Sequence, residues 1–425
     1  MKHKRTLVRL IKSSQFKNSI WLYVLRFFQL VVPLITFPYV TRVLGNSAYG
    51  AFSIALNLIT YLQTIVEYGF DYSGSRRIAL AEKKELSGIY TSIISAKMVL
   101  LLLAAIIMMV ILQVPVYSDM EKTCVFFLFC MVIGTALQQT WVFQGFQEMQ
   151  FITIANVIAR SISVLLVFMF VNGEDDVWLY AILYSSSSII SGIISIIICK
   201  YRYRLKYRFA GFKEILLQLK EGFSLFLTAA TARILSTIGM FFLGLVVSEQ
   251  DAGIYSAAQK IPSIMIMCYT PISQAMYPYI SKLFVENKKK ATNILKILYG
   301  PIAFGVLLIC ILVMLLGEKI LLYVCGPEYL EGEKYIRILM VWVWLSVFNN
   351  ILGTLTLVAS GRSEIYSKFF VISAIVAVVL NILLIKKYSC IGAAIATMIS
   401  EGVLFIIMLV YILKNHRKIF VRASV

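Results

Sequence analysis

Hydrophobic positions along this chain come in long unbroken blocks, not in the alternation of a half-buried strand or the one-sided stripe of a soluble helix. The first block, NSIWLYVLRFFQLVVPLITFPYV at 18–40, is mainly apolar and carries a single charge, Arg26, near its middle. Similar blocks recur at 18–44, 47–72, 88–114, 123–145, 151–171 and 177–199, then at 215–247, 252–283, 291–316, 336–360, 365–385 and 390–413. A membrane-crossing helix needs about 20 mainly apolar residues at 1.5 Å rise each, because lipid cannot satisfy exposed backbone groups and a helix satisfies its own. The pattern therefore predicts an all-α integral membrane protein with about 12 transmembrane helices. Runs longer than a bilayer requires predict tilted helices or helices that project into water. The longest connector on the acidic side, 317–335, is too short for an extramembrane domain.

Composition agrees with the pattern: 60% of the 425 residues are hydrophobic and 14% charged, against about 45–50% apolar and 25% charged in soluble domains. The formal charge of +19 is unevenly spread. Basic residues fill MKHKRTLVRLIKSSQFK, SRRIALAEKK, KYRYRLKYRFAGFK, NKKK and the tail segment KNHRK, whereas VNGEDDVW, SEQD and CGPEYLEGEK are mostly acidic. Cytoplasmic loops carry the excess of Lys and Arg, so both termini are expected inside. The charge then reads as an orientation signal and as contact with anionic lipid, not as nucleic-acid binding.

The first block is too long for a signal-peptide core and lacks a small-residue cleavage site, so it is expected to be retained. Seven cysteines stand singly with no CxxC pair, and the only histidines, His3 and His416, lie in the tails. Neither a disulfide framework nor a histidine metal site or catalytic triad is expected, and no cofactor is called for.

The chain echoes itself. GAFSIA at 50–55 returns as GIYSAA at 253–258, and GFQE at 145–148 as GRSE at 361–364, separations of 203 and 216 residues. With six runs in each half, both copies enter the membrane in the same sense. This predicts a parallel repeat, residues 1–205 and 206–425, with a substrate site near midplane between the halves.

The charges that fall well inside the runs are Arg26, Lys97, Arg160, Arg233 and Lys260, with the acids Glu67, Asp71 and Glu401 at less certain depth. One charge at a span centre costs about 2.5–3.5 kcal/mol on insertion scales, so such residues face a bundle interior or an aqueous cavity. Lys97 and Arg160 could equally neutralise Asp71, Glu67 or Glu401. At the 203-residue offset Arg26 maps one turn before Arg233, placing both on the first helices of their halves. Lys260 follows on the next helix near Ser256, Ser263 and Met267, while Gln29 and Pro33 flank Arg26 and Ser236 and Thr237 flank Arg233. A cationic, hydroxyl-lined cavity follows, with arginine forks suited to phosphate oxygens.

PYVTRVLGNSAYGAFSIA, EYGFDYSGSRRIA, WVFQGFQEM, AGIYSAAQKI, QAMYPYISKL and GPEYLEGEKYIRILM resemble, in order and over nearly the whole chain, the bacterial polysaccharide transporters. These are the O-antigen repeat-unit (Wzx-type) flippases of the multidrug/oligosaccharidyl-lipid/polysaccharide exporter superfamily. The resemblance implies a two-lobed, V-shaped transporter, not an enzyme, that moves undecaprenyl-diphosphate-linked oligosaccharide across the bacterial cytoplasmic membrane. It also implies polysaccharide polymerase and chain-length regulator as partners beside the membrane lipids. Arg42 in TRVLG and Arg76 in GSRRIA match its pattern at helix ends, where snorkelling to headgroups competes with substrate binding. Gly145 is expected to end or bend a helix, with Gly361 as its echo.

Prolines 33, 38, 262, 271, 278 and 301 offer bending points for alternating access. Proton or sodium coupling would fall to Asp71, Glu67 or Glu401. A multidrug cation antiporter of the same fold would want an acidic cavity, and a membrane-embedded glycan ligase or polymerase a large outside loop with positioned polar groups. Neither matches the charges and connectors present.

Overall fold

The computed structural model describes residues 14–208 and 210–415, apart from the side chains at 14–17, 19, 232, 234–236, 275, 296, 298 and 299. The expected placements of both termini, His3 and His416, and of the Ser236 side chain, lie outside what is described. Among the described residues regular structure is entirely helical. Among the described residues eight helical stretches are long and apolar enough to cross a membrane, two of them, of 61 and 52 residues, long enough to cross twice. The protein is a multi-pass, all-α membrane protein, and each of the twelve apolar runs lies on helix.

In the order of the chain the helices are α1 (Ser14–Glu67), α2 (Phe70–Leu80), α3 (Leu86–Gln113), α4 (Asp119–Leu137), α5 (Thr140–Gly145), α6 (Gln150–Phe170) and α7 (Val177–Tyr201). They continue as α8 (Phe212–Val246), α9 (Glu249–Glu286), α10 (Lys288–Val324), α11 (Glu333–Leu352) and α12 (Ser363–Lys414). Helix α1 is two arms joined at Gly45, whose φ of 70° and ψ of 178° lie where only glycine sits without strain. Helix α12 is divided in the same way at Ser389.

Packing divides the chain into two compact units, Met1–Thr237 and Ile238–Val425. In the first, α4 lies against α7 and α1. Small residues on α7, Ser185, Ser188 and Gly192, let α4 approach closely. A Cβ at Gly134 would stand 2.6 Å from the backbone nitrogen of Ile189, and one at Gly192 would stand 2.6 Å from Leu137 Cβ. Helices without a hydrophobic drive to associate in lipid rely on such small-residue contacts. In the second unit, Tyr269, Ile280, Phe284, Val347, Leu355 and Met408 belong to one buried cluster.

Three runs expected to be single helices are interrupted. The run 47–72 breaks at Tyr68 and Gly69, both with positive φ, before α2. The run 123–145 breaks at Gln138–Gln139. The run 336–360 loosens into a π-helical turn, Gly353–Val358, where Tyr366 occupies the space that a Cβ on Gly353 would need.

Candidate functional site

Asn57, Tyr61, Thr64 and Glu67 recur every three or four residues on the second arm of α1, which puts them on one face of the helix. Opposite that face α8 brings Arg233 and Thr237, again one turn apart. Thr237 Oγ1 lies 2.8 Å from Tyr61 Oη, Asn57 Nδ2 donates to the Thr237 carbonyl at 3.2 Å, and Arg233 Nε donates to Thr64 Oγ1 at 3.4 Å. Asn57 keeps its own Oδ1 buried without a partner among the described residues. The charge of Arg233 acts on both Tyr61 and Glu67. The result is a half-buried guanidinium beside hydroxyls and amides, a donor set suited to phosphate and sugar oxygens.

Deeper in the same unit Lys97, only 3% exposed, donates to the carbonyls of Thr135 at 3.2 Å and Gln138 at 2.9 Å. Asp71 and Glu67 are the carboxylates whose charges reach it, though neither forms a direct ion pair within 4 Å. Arg160 on α6 sits elsewhere. Its guanidinium lies 4.4 Å from the centre of the Tyr184 ring and 3.5 Å from Ser187 Oγ, so an aromatic face stands where a carboxylate partner was one of two expectations.

Arg26 is exposed on the first arm of α1, and no ion pair reaches it among the described residues. Lys260 is half-exposed on α9, in the second unit. Glu401, also in the second unit, accepts from Asn349 Nδ2 at 3.0 Å. Arg42 and Arg76 are exposed near helix ends or bends. Gly145 and Gly361 play different parts. Gly145 closes α5 because Ile78 leaves no room for a side chain, a Cβ there falling 2.6 Å from Ile78 Cβ. Gly361 has φ 81° in an open turn.

Sequence reasoning passed over Arg77, next to Arg76. It pairs with Glu221 at 3.2 Å and helps line a cavity of about 500 Å³ with Glu85, Ser92, Glu214 and Gln218. It also passed over the stripe of Asn57, Tyr61 and Thr64, whose helical spacing within an apolar run was a readable signal.

At one end of the first unit Glu148 accepts from Arg202 Nη2 at 2.9 Å and from the Tyr203 hydroxyl, and the Tyr203 ring stacks on Phe146 at 4.3 Å. The Arg202 hydrogen bond holds the Glu148 carboxyl below its ordinary range against the opposing effect of burial, while burial and Glu148 together push the Tyr203 phenol up. Asn18 ties the same turn to α1, donating to the Gln147 carbonyl and accepting from the Met149 amide.

The polar stripe on α1 and α8 lies within a multi-pass helical membrane protein. The chain belongs to the polysaccharide biosynthesis protein family, whose model matches residues 16–284. It is 26% identical over 415 residues to a protein named for O-antigen transport in Escherichia coli (strain K12), covering 95% of this chain and 98% of that one. It is 30% identical over 213 residues to the capsular polysaccharide biosynthesis protein CapF of Staphylococcus aureus, about half of each chain. Among solved structures it resembles the lipid II flippase MurJ in an inward closed conformation, with a TM-score of 0.74 at 15% identity, over 95% of this chain and 90% of that one. It also resembles an inward-facing multidrug transporter of the MOP superfamily, with a TM-score of 0.65 at 14% identity, over 91% and 99%. At such identities the structural likeness speaks for the fold alone. The Escherichia coli relative and the two solved structures are named as transporters or flippases, not as enzymes.

Proposed function

We propose that this chain is a lipid-linked oligosaccharide flippase of the bacterial cytoplasmic membrane, with both termini inside. Its substrate in this reading is an undecaprenyl-diphosphate-linked repeat unit of O-antigen, capsule or exopolysaccharide, carried outward by alternating access. Family membership supports the substrate class. The observation that carries the reading is Arg233, held against Thr64 on a stripe of Asn57 and Tyr61. A diphosphate crossing hydrocarbon without a counter-cation faces a Born cost of many kcal/mol, and a fixed guanidinium with neighbouring hydroxyls lowers it while the polyprenyl tail stays in lipid. Arg26, Lys260 and Arg160 are further cations for the diphosphate or an acidic sugar. With the inside negative, each anionic charge moved outward gains about 2.3 kcal/mol per 100 mV, so the membrane potential suffices as a drive. Proton or sodium coupling through Glu67, Asp71 or Glu401 would add to it.

The test is complementation. In a host lacking its own transporter for a known glycan, the chain should restore surface polysaccharide. Arg233→Ala should lower export about 10- to 100-fold, the worth of one or two charge-assisted hydrogen bonds, while protein abundance in the membrane stays normal. Arg233→Lys should recover part of the loss if charge alone matters. Full export by Arg233→Ala at normal abundance would refute the assignment.

A further inference from the structure

The apolar run 123–145 stops being helical at Leu137 and resumes at Thr140. It contains no proline to force the break. Interrupting a helix leaves its last carbonyls without intrahelical donors, and inside a membrane protein each orphan costs several kcal/mol. Several of these carbonyls find donors outside the helix ladder. The amide of Gln138 returns to Gly134 at 2.9 Å. The side chain of Gln139 covers the Leu137 carbonyl at 2.8 Å. Lys97 covers two more, those of Thr135 and Gln138, from a neighbouring helix.

The surroundings of that ammonium are those of a bound cation. Two backbone carbonyls at the C-terminal, negative end of a half-helix touch it. Two carboxylates, Asp71 and Glu67, act on it by charge. At the same break Gln139, only 1% exposed, keeps its amide Oε1 buried with no partner among the described residues. Unwound carbonyls and half-helix C-termini are how membrane transporters hold small monovalent cations.

We propose that the α4–α5 break is a monovalent-cation site whose resident cation is the chain's own Lys97 ammonium, so that this site is filled permanently and takes no ion from solution. Lys97 is then a positioning residue for the broken helix, not a contact for substrate. Removing the ammonium should uncover a site for a free cation small enough to enter, such as sodium or methylammonium.

The experiment uses the full-length protein purified in detergent, with thermal unfolding as readout, in buffers whose monovalent cation is choline, sodium or methylammonium. The wild-type midpoint should be the same in all three. Lys97→Ala should unfold at lower temperature in choline and gain about 3–6 °C when sodium or methylammonium is present at ten times its dissociation constant. Lys97→Met, closer in volume to lysine, serves if the alanine variant is poorly recovered. Combining Lys97→Ala with Asp71→Asn should raise the cation concentration needed at least tenfold, and an unchanged response in that double variant would place the effect elsewhere and overturn the proposal. It is also overturned if Lys97→Ala and Lys97→Met ignore every small cation. The same holds if neither variant accumulates in cells, whose potassium and ammonium should fill the vacated site.

Discussion

Placing a methyl group at Gly134 tests whether the α4–α7 contact positions the polar interior of the first unit. The new Cβ would stand 2.6 Å from the backbone nitrogen of Ile189 and 2.5 Å from Ser188 Cβ. Ordinary van der Waals contact begins near 3.4 Å and the Ser188 carbonyl carbon would lie only 2.4 Å away, so the helices must separate by about 1.0 Å, the difference between 3.4 and 2.4. Backbone atoms cannot rotate away as a side chain can. Overpacking of this kind costs about 1–3 kcal/mol, which for a unit of this size is a fall of about 2–10 °C in unfolding midpoint. Gly88 provides the control. It lies in the first turn of α3 with nothing within 4 Å of its would-be Cβ, so Gly88→Ala should be neutral or raise the midpoint, by up to about 1 kcal/mol of helix propensity. The assay is thermal unfolding of purified protein beside surface-glycan export. Gly134→Ala should lose both stability and export, because the Gly134 carbonyl receives the Gln138 amide at the helix break. Equal midpoints for Gly134→Ala and wild type would refute the close approach of α4 and α7.

Two further outcomes follow from other parts of the molecule. Glu148 has a carboxyl held below its ordinary range, so its contribution is complete above about pH 4, the ordinary carboxylate value. That contribution is lost as pH falls through the depressed value. The protection of the amides at 146–149, relative to their intrinsic exchange rate at each pH, should therefore persist down to mildly acid pH and fall below it, while Glu148→Gln should be less protected at neutral pH and lose this acid step. In the second unit Asn349, 3% exposed, donates to both the carbonyl and the carboxylate of Glu401. Asn349→Leu leaves that acid short of a donor and should cost about 1–3 kcal/mol, read as a lower unfolding midpoint. Asn349→Leu with Glu401→Gln should recover part of it, and no recovery would argue against the pairing.

Much of this architecture is written in block lengths. Twelve apolar runs predict twelve helical passes because a bilayer sets a minimum length, and the gap between the first two falls on Gly45, where glycine alone tolerates the backbone. The interruptions were not legible, since their causes are distant in sequence. The break at Gln138 is held by Lys97, 41 residues earlier, and Arg233 finds Thr64 169 residues away. Arg160 shows a different limit. A buried guanidinium suggested a search for carboxylates, and nothing in the sequence reveals that the ring of Tyr184 takes that place. The structure sorts the charges in the runs by neighbour: Arg233 on hydroxyls, Lys97 on carbonyls, Glu401 on an amide.

The start of α8 is fastened to the first unit at several levels. Gln218 donates to Ser92 at 3.0 Å, Arg77 pairs with Glu221, Leu225 fills the space beside Gly69, and Phe226 stacks on Tyr68 at 4.7 Å. The preceding segment is pinned to α3 as well, with Arg208 donating its backbone N–H to Thr91 Oγ1 at 3.0 Å. Duplication order and packing therefore need not share a seam. For recombination between relatives of this family, a crossover within 200–213 would exchange α8 away from the residues it grew against, whereas one after Thr237 would carry those coadapted partners together. The lineage of such hybrids is constrained less by where an ancestral gene was copied than by which side chains have since had to change in step.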